Sequence, residues 1–200
     1  ILIILFCISA QASTNTSSII KKYQNANEKN TYFPTIKSEN HFYSINHSYV
    51  QQKEWIEHLL LSNSKYGFKS SLSTKEEQEK YNINNPIFGV IIAKKPLTNF
   101  DIIYKSEFKN LHLSAKLGIK LKRKITKKIT NSYDLKKMID SVYPIIELTQ
   151  YRFKNLKEIS INDLILANTG TAGFIKADKI KLKDLEKIDI KINKKKPIKY

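Results

Sequence analysis

The 200-residue sequence predicts a domain of the α+β class, in which strands and helices are mixed. Stretches with helical spacing and stretches with strand-like alternation follow one another without the regular strand–helix–strand order of parallel α/β proteins. No Gly-rich phosphate loop and no internal repeat is present. The apolar content of 41% is enough for one hydrophobic core.

The first residues predict export. Ile1 to Ala12 carry no charge and end in Ala10-Gln11-Ala12, which is typical of a secretory signal with its cleavage site. The stretch is too short to span a bilayer. We expect an exported protein, periplasmic or secreted, whose printed sequence begins inside its signal. The alternative is a cytoplasmic protein in which this segment forms a buried strand or helix. Cleavage after Ala12 would also remove Cys7, the single cysteine, and with it thiol chemistry.

The domain itself is expected at residues 47–200. Residues 13–46 are rich in Ser, Thr, Asn and Lys and show no sustained period, which predicts a flexible polar lead-in. A first helix is predicted from an N-cap at Ser48 to about residues 62–64, because Tyr49, Ile56 and Leu60 fall at helical spacing.

Strands and short helices mix after this first helix. Strands are predicted at residues 66–70, 87–93, 114–121 and 142–149, and the run 189–200 alternates like a further strand. Helices are predicted after a capping box at Thr74, after Ser132 or Asp134, and from Ser160 to a stop at Gly170. The alternation of Leu113, Leu117 and Ile119 with polar residues predicts a half-buried strand.

The net charge of +17 comes almost entirely from lysine. Of the 35 basic residues only Arg123 and Arg152 are arginines. Arginine is the residue that reads guanine edges with two bonds, so this composition argues against specific nucleic-acid binding. The excess of Lys, Asn and Ile reflects either a drift towards A/T-rich codons or selection for an anionic partner. The densest basic run, residues 120–128, lacks interleaved aromatics, which leaves weak electrostatic attraction to a membrane as one interpretation.

Catalytic motifs are scarce. The four histidines show no metal-ligand spacing, and neither a nucleophile elbow nor a Walker loop is present. The residue that stands out is Glu147, a carboxylate at the end of an apolar predicted strand. Such a residue is either functional or simply solvated or paired with a lysine.

Five short segments add a resemblance. They are Tyr49–Lys53, Gly67-Phe68-Lys69 with Ser71-Leu72-Ser73, Asn84–Gly89, Pro144–Glu147 followed by Arg152, and Asp163–Gly173. Their order and separations resemble the 2-keto-4-pentenoate hydratases of the wider fumarylacetoacetate hydrolase family. The resemblance implies a strongly bent mixed sheet flanked by helices. It also implies a chain cut short at its C-terminus and assembly into a homo-oligomer.

The same resemblance implies which residues would form a site. Family enzymes hold Mg²⁺ or Mn²⁺ with an E-x-E pair and the Glu of P-A-L-E, and the cation polarises a 2-oxo acid. The E-x-E position here reads Ser114-Ala115-Lys116, which leaves Glu147 as the retained candidate ligand. Asn84 and Gln150 replace family aspartates. The implied catalytic residues are Lys69, Glu147 and Thr171, and the implied binding residues are Ser114, Lys116, Asn84, Gln150 and Arg152.

These replacements predict a site without a metal. One carboxylate beside an ammonium group should repel a divalent cation. Lys116 would then either pair with Glu147 and fill the former metal site, or hold a small anionic ligand such as a keto acid together with Lys69. The competing hypothesis is an active hydratase-type lyase that uses Mg²⁺ or Mn²⁺ and adds water to a 2-hydroxy-dienoate. A third hypothesis is a basic protein associated with the cell envelope or with polyanions.

Overall fold

The computed structural model describes residues 17–36, 44–98 and 100–180. The predicted signal at residues 1–12 and the predicted strand at residues 189–200 lie outside these ranges. The elements in chain order are α1 (Ser18–Glu28), α2 (Ile45–Leu59), β1 (Ser64–Ser71), α3 (Lys75–Glu79), β2 (Ile87–Ala93), β3 (Leu111–Leu121), α4 (Ser132–Met138), β4 (Ile139–Gln150), α5 (Ile161–Leu166) and β5 (Thr171–Lys176), with two 3₁₀ turns at Lys105–Glu107 and Asn168–Gly170. None of the described helices is long and apolar enough to cross a bilayer.

Two antiparallel sheets form the β-structure. Strands β1 and β2 form a hairpin-like pair, and β3, β4 and β5 form a three-stranded sheet in that order. Helix α2 lies against both α1 and α5, and α5 contacts β2. This confirms the predicted α+β class, and all four predicted inner strands are present with boundaries within a few residues of those expected.

Residues 18–36 differ from the prediction of a loosely packed lead-in, which is wrong for this stretch. They form α1 and a following segment that together build most of one hydrophobic core. Ile19, Ile20 and Tyr23 are fully buried, and the Tyr23 ring stacks on Phe33 with centroids 4.2 Å apart. Trp55 of α2 meets both rings edge-on. The apolar residues of α1 are few but fall on one face of the helix. Because the segment is polar on average, its composition did not indicate this buried face.

Helix starts also needed correction at two places. The N-cap of α2 is Ser44, whose hydroxyl accepts from the His47 N–H at 3.1 Å, and not Ser48. Ser48 is buried one turn later and donates to the Asn162 side chain. The N-cap of α4 is Asn131. In each case the prediction took a serine inside the first turn as the N-cap, although a residue with an equal capping preference lies just upstream. The capping boxes at Thr74 and Ser160 are confirmed.

Strand β3 is present, but the prediction of its buried face is wrong. Its apolar residues Leu113, Leu117 and Ile119 are exposed, at 59%, 40% and 50% of their surface. The polar side, with Ser114 and Lys116, is the more covered one. Alternation along a strand defines two faces but does not determine which one is covered. The covered face of β3 therefore carries the polar groups discussed next.

Candidate functional site

A cleft of about 710 Å³ lies between β1 and one face of the three-stranded sheet. The antiparallel register explains which side chains meet there. Ser114 pairs with Glu147 and Lys116 pairs with Ile145, while Glu147 and Ile145 pair on their other side with Phe174 and Lys176 of β5. Directly opposed residues share a face of a sheet, so these side chains point to the same side. The cleft is lined by Tyr66, Gly67, Phe68, Lys69, Ile91, Pro96, Lys116, Leu117, Gly118, Ile119, Lys120, Tyr143, Ile145, Glu147, Thr171, Gly173, Phe174 and Lys176.

A buried ion pair between Lys69 and Glu147 lies in the cleft. The two side chains are only 7% and 9% exposed, and the Lys69 ammonium donates directly to Glu147 Oε1. A second bond runs from Lys69 Nζ to the backbone carbonyl of Thr169 at 3.0 Å. The sequence implied both Lys69 and Glu147 as site residues, and the structure brings them into contact across two different sheets.

Opposing effects act on the Lys69 ammonium. Burial lowers the pKa of Lys69 below its usual value, because a desolvated ammonium is less stable than the neutral amine. The negative charge and hydrogen bond of Glu147 oppose that shift, and the positive charge of Lys116 adds to it. The net direction is downward. Lys69 is therefore a buried amine with two charged neighbours of opposite sign.

A turn with an unusual backbone positions the Thr169 carbonyl. Asn168, Thr169 and Gly170 all have positive φ, at 51°, 53° and 69°. Asn168 holds the turn against β2 with two bonds, because its Oδ1 accepts from the Val90 N–H at 2.7 Å and its Nδ2 donates to the Val90 carbonyl at 2.8 Å. Two successive non-glycine residues in the left-handed region store strain that this clamp has to offset.

Gly89 is needed for the same close approach. A Cβ at this position would lie 2.4 Å from the Thr169 hydroxyl and 3.0 Å from the Asn168 side-chain oxygen. Gly89 is also the strand partner of Lys69. The tight contact of β2 with the turn therefore brings the carbonyl acceptor to the lysine.

The predicted ion pair between Lys116 and Glu147 is not formed. Glu147 pairs with Lys69 instead, and no carboxylate in the described ranges lies within ion-pair distance of Lys116. The physical reason is geometric, since Lys116 faces Ile145 across the strand pair while Lys69 reaches Glu147 from the opposite wall of the cleft. Lys116 lines the cleft and is close enough to Lys69 to influence its pKa.

Other implied residues divide between the cleft and the rest of the fold. Thr171 lines the cleft, and its hydroxyl donates to the Asn168 carbonyl at 3.2 Å. Ser114 faces the same side directly opposite Glu147. Asn84 is exposed in the turn before β2, and Gln150 accepts from the Lys109 N–H at the end of β4, so neither lines the cleft.

Arg152 has a structural environment away from the cleft. It is 6% exposed and donates to the Asn27 side chain and to the carbonyls of Ala26 and Thr31, at 2.6 to 2.9 Å. Its guanidinium lies 4.7 Å from the Phe33 ring centre. Burial lowers the pKa of Arg152. These contacts fix the C-terminal end of α1 to the segment after β4, and they place Arg152 outside the binding role expected for it.

The donor set does not fit a divalent cation. Glu147 is the only carboxylate among the cleft-lining residues that the structure describes, and it already forms an ion pair with Lys69. No group of three His, Cys, Asp or Glu side chains within the described residues could hold a metal ion. Hard divalent cations require several anionic or carbonyl oxygens, whereas this cleft presents ammonium groups.

The sequence did not predict several residues at or next to the cleft. Thr169 acts through its backbone carbonyl, which no side-chain pattern reveals. Lys176 and Tyr143 meet in the cleft with the ammonium 4.6 Å from the ring centre, and only the β4–β5 register brings them together. The positive φ of Thr169 has no sequence signal beyond the Gly170 that follows it.

The fold of the described residues is similar to that of a solved decarboxylase. It is similar to 4-oxalocrotonate decarboxylase from Pseudomonas putida G7 complexed with magnesium and adipate, with a TM-score of 0.74 and 16% sequence identity over 83% of this chain and 64% of that chain. The same enzyme complexed with calcium and acetate gives a TM-score of 0.73 and 15% identity over 83% and 63% of the two chains. This chain thus spans somewhat less than two thirds of the decarboxylase. Comparison of the sequence with family models and with curated proteins yields no match.

Proposed function

We propose that the cleft binds a small organic carboxylate, a 2-oxo acid or a dicarboxylate, through lysine ammonium groups and without a divalent cation. The observation that carries this proposal is that Glu147 already forms an ion pair with Lys69, while Lys116 lines the cleft with no carboxylate partner in the described part of the chain. A metal ion would have to displace the Lys69 ammonium from Glu147, whereas an anion could bind the Lys116 ammonium without displacing any group.

The charge balance of the cleft favours an anion. Four ammonium groups line it, from Lys69, Lys116, Lys120 and Lys176, against the single carboxylate of Glu147. Asp140 outside the lining pairs with Lys120 at 3.3 Å, so Lys116 remains the best placed cation for a ligand. A carboxylate at about 4 Å from one ammonium gains roughly 4 kcal/mol at an effective dielectric constant of about 20, and desolvation offsets most of this. A net effect of about tenfold on affinity per lysine follows.

The remaining lining suits the carbon chain of such a ligand. Tyr66, Ile91, Ile145 and Phe174 supply apolar and aromatic surface next to the charged groups. A volume of about 710 Å³ lies within the range of small-molecule sites. The similar decarboxylase is described as complexed with adipate, a six-carbon dicarboxylate, which makes adipate a sensible first probe.

Calorimetric titration of the protein with adipate and with pyruvate in the presence of EDTA tests the proposal. We expect binding without metal that weakens about tenfold in Lys116→Met, because that side chain keeps the length but loses the charge. Lys157→Met, at an exposed lysine outside the cleft, is the matched control and should bind like wild type. Binding that requires added Mg²⁺, or that is equal in Lys116→Met and wild type, contradicts the proposal.

One observation favours an active lyase as the second candidate. Lys69 and Glu147 are both in the cleft and in contact, and Thr171 lines it as well, so the three implied catalytic residues are together. Under this candidate, turnover of 2-hydroxypenta-2,4-dienoate is detectable by loss of absorbance and disappears in Lys69→Met and Glu147→Gln. Absence of turnover across several 2-oxo acids and their enols rules against it.

We also propose that the protein is exported, on the basis of the uncharged apolar segment Ile1 to Ala12. Intact-mass measurement of the protein after expression from its own gene tests this. Export predicts a mature chain that begins at Ser13 and is recovered outside the cytoplasm. Recovery of an uncleaved chain in the cytoplasm contradicts it.

A further inference from the structure

A long, strongly basic connection joins β3 to β4. We call residues 122–138 the basic lobe. Its ends are closed by a hydrogen bond from the Lys122 N–H to the Met138 carbonyl at 2.9 Å, next to the last strand pair between Leu121 and Ile139. Seventeen residues far exceed the usual length of a hairpin connection. The connection contains helix α4 at its C-terminal end, preceded by ten residues without regular secondary structure.

The lobe concentrates positive charge. It contains seven basic residues and one acidic residue, a net charge of +6, out of a net charge of +17 for the whole chain. More than a third of the net charge thus falls in less than a tenth of the sequence. Selection for an anionic partner would produce a local excess of this kind. The lobe is therefore a candidate for a selected anionic partner.

The first part of the lobe, residues 122–128, presents its charge to solvent. Every residue from Lys122 to Lys128 is exposed, and none of the lobe is buried. No described carboxylate lies within ion-pair distance of Lys122, Arg123 or Lys124. The single acid, Asp134, is held by the α4 cap, where its carboxylate accepts from the Asn131 side chain at 2.8 Å.

Apolar side chains are exposed beside these cations. Ile125 is 41% exposed, Leu135 39% and Tyr133 65%. The Lys137 ammonium lies 4.0 Å from the Tyr133 ring centre, so a cation already covers one face of the ring that a nucleobase would stack on. The lobe also has only one of the forked donors that read nucleic acids, Arg123. Lysines interleaved with aliphatic side chains and a tyrosine are instead typical of a surface that lies against lipid headgroups.

We propose that the basic lobe docks the protein on an anionic phospholipid surface. Lys122, Arg123 and Lys137 line a depression of about 470 Å³ together with Asp134 and Met138, and the three cations outweigh the one carboxylate in attracting a phosphate headgroup. Ile125 and Tyr133 reach the boundary between headgroups and acyl chains, while the lysine stems extend towards the phosphates. This docking is independent of ligand binding in the cleft.

Vesicle flotation with the full chain tests the docking. Vesicles of phosphatidylcholine alone are compared with vesicles that also contain phosphatidylglycerol. The variant Lys122→Gln/Arg123→Gln/Lys124→Gln removes three charges from the lobe. The matched variant Lys29→Gln/Lys80→Gln/Lys157→Gln removes three charges from exposed positions elsewhere.

We expect binding only to the anionic vesicles. Each basic residue near the surface contributes about fivefold to affinity, so the lobe variant should lose on the order of a hundredfold and the matched variant much less. Equal loss in both variants would show that net charge and not the lobe attracts the vesicles, and it would overturn the proposal. Tighter binding to a short DNA duplex than to vesicles at equal phosphate concentration would overturn it as well.

Tyr133→Ser separates docking from loose attraction. If the ring reaches the headgroup boundary, this variant binds anionic vesicles several-fold more weakly even at high salt, where simple charge attraction is screened. Unchanged binding of Tyr133→Ser at high salt contradicts the apolar part of the proposal.

Discussion

Removing either member of the Lys69–Glu147 pair should destabilise the fold strongly. In Lys69→Met the Glu147 carboxylate, only 9% exposed, loses its partner. In Glu147→Gln the ammonium, 7% exposed, loses its anionic partner and keeps the neutral Thr169 carbonyl as an acceptor. An uncompensated buried charge costs about 3–5 kcal/mol, so each variant should lose about that much free energy of unfolding.

The double variant distinguishes a specific pair from two unrelated losses. Lys69→Met/Glu147→Gln leaves no buried charge, so it should be far more stable than the sum of the single changes suggests. The expected coupling energy is about 3 kcal/mol or more. The exposed pair Lys53–Glu57, with side chains 79% and 63% exposed and atoms 3.9 Å apart, is the matched control, for which about 0.3–0.5 kcal/mol is expected.

Urea unfolding followed by fluorescence measures these energies. Trp55 is the single tryptophan, and it is 2% exposed in the core around α1, so its emission reports global unfolding. A coupling energy for Lys69 and Glu147 as small as that of Lys53 and Glu57 would refute the buried ion pair. Additive losses in the double variant would refute it too.

Three further changes probe the framework around the cleft. Tyr23→Phe should raise the free energy of unfolding by about 1 kcal/mol, because the fully buried Tyr23 hydroxyl has no hydrogen-bond partner among the described residues. Burial, and then the charge of Asp163, raise the pKa of Tyr23 well above its usual 10.0, so above pH 10.0 the unfolded state releases a proton that the folded state holds. In urea titrations wild type should therefore lose stability above pH 10.0 more steeply than Tyr23→Phe. Asn168→Ala leaves both polar backbone groups of Val90 without these partners and should cost about 2–4 kcal/mol in urea unfolding; an unchanged midpoint would contradict the clamp. Arg152→Lys cannot make the three forked bonds and should cost about 2–4 kcal/mol while leaving adipate affinity unchanged; a weaker affinity in folded protein would restore a binding role.

Local sequence signals predicted the elements well. Capping boxes at Thr74 and Ser160 and the β-rich run at residues 87–93 are short-range signals, and each is confirmed. The α+β class followed from the same signals. The motif order, which spans about residues 48–174, predicted a fold that is similar to the solved decarboxylase structures, although comparison of the sequence with family models and curated proteins yields no match.

Local sequence signals did not predict which residues distant in the sequence meet in the fold. Strand β3 was predicted, but its covered face depended on what packs against it, and this proved to be the side of Lys116. The partner of Glu147 depended on the distance between two sheets, which motif spacing does not contain. Arg152 matched a family motif position, yet α1, a helix predicted as loose chain, supplies its acceptors. Each of these errors concerns a contact between residues distant in sequence.

Manganese binding followed by electron paramagnetic resonance tests the central claim most directly, namely that lysines make this cleft a site for anions and not for divalent cations. Position 114 faces Glu147 directly and position 116 lies on the same face, so Ser114→Glu/Lys116→Glu should create three converging carboxylates. We predict that wild type leaves the signal of free Mn²⁺ unchanged at equimolar protein and that the double variant diminishes it. Loss of the signal with wild-type protein, one ion per chain, would contradict the account.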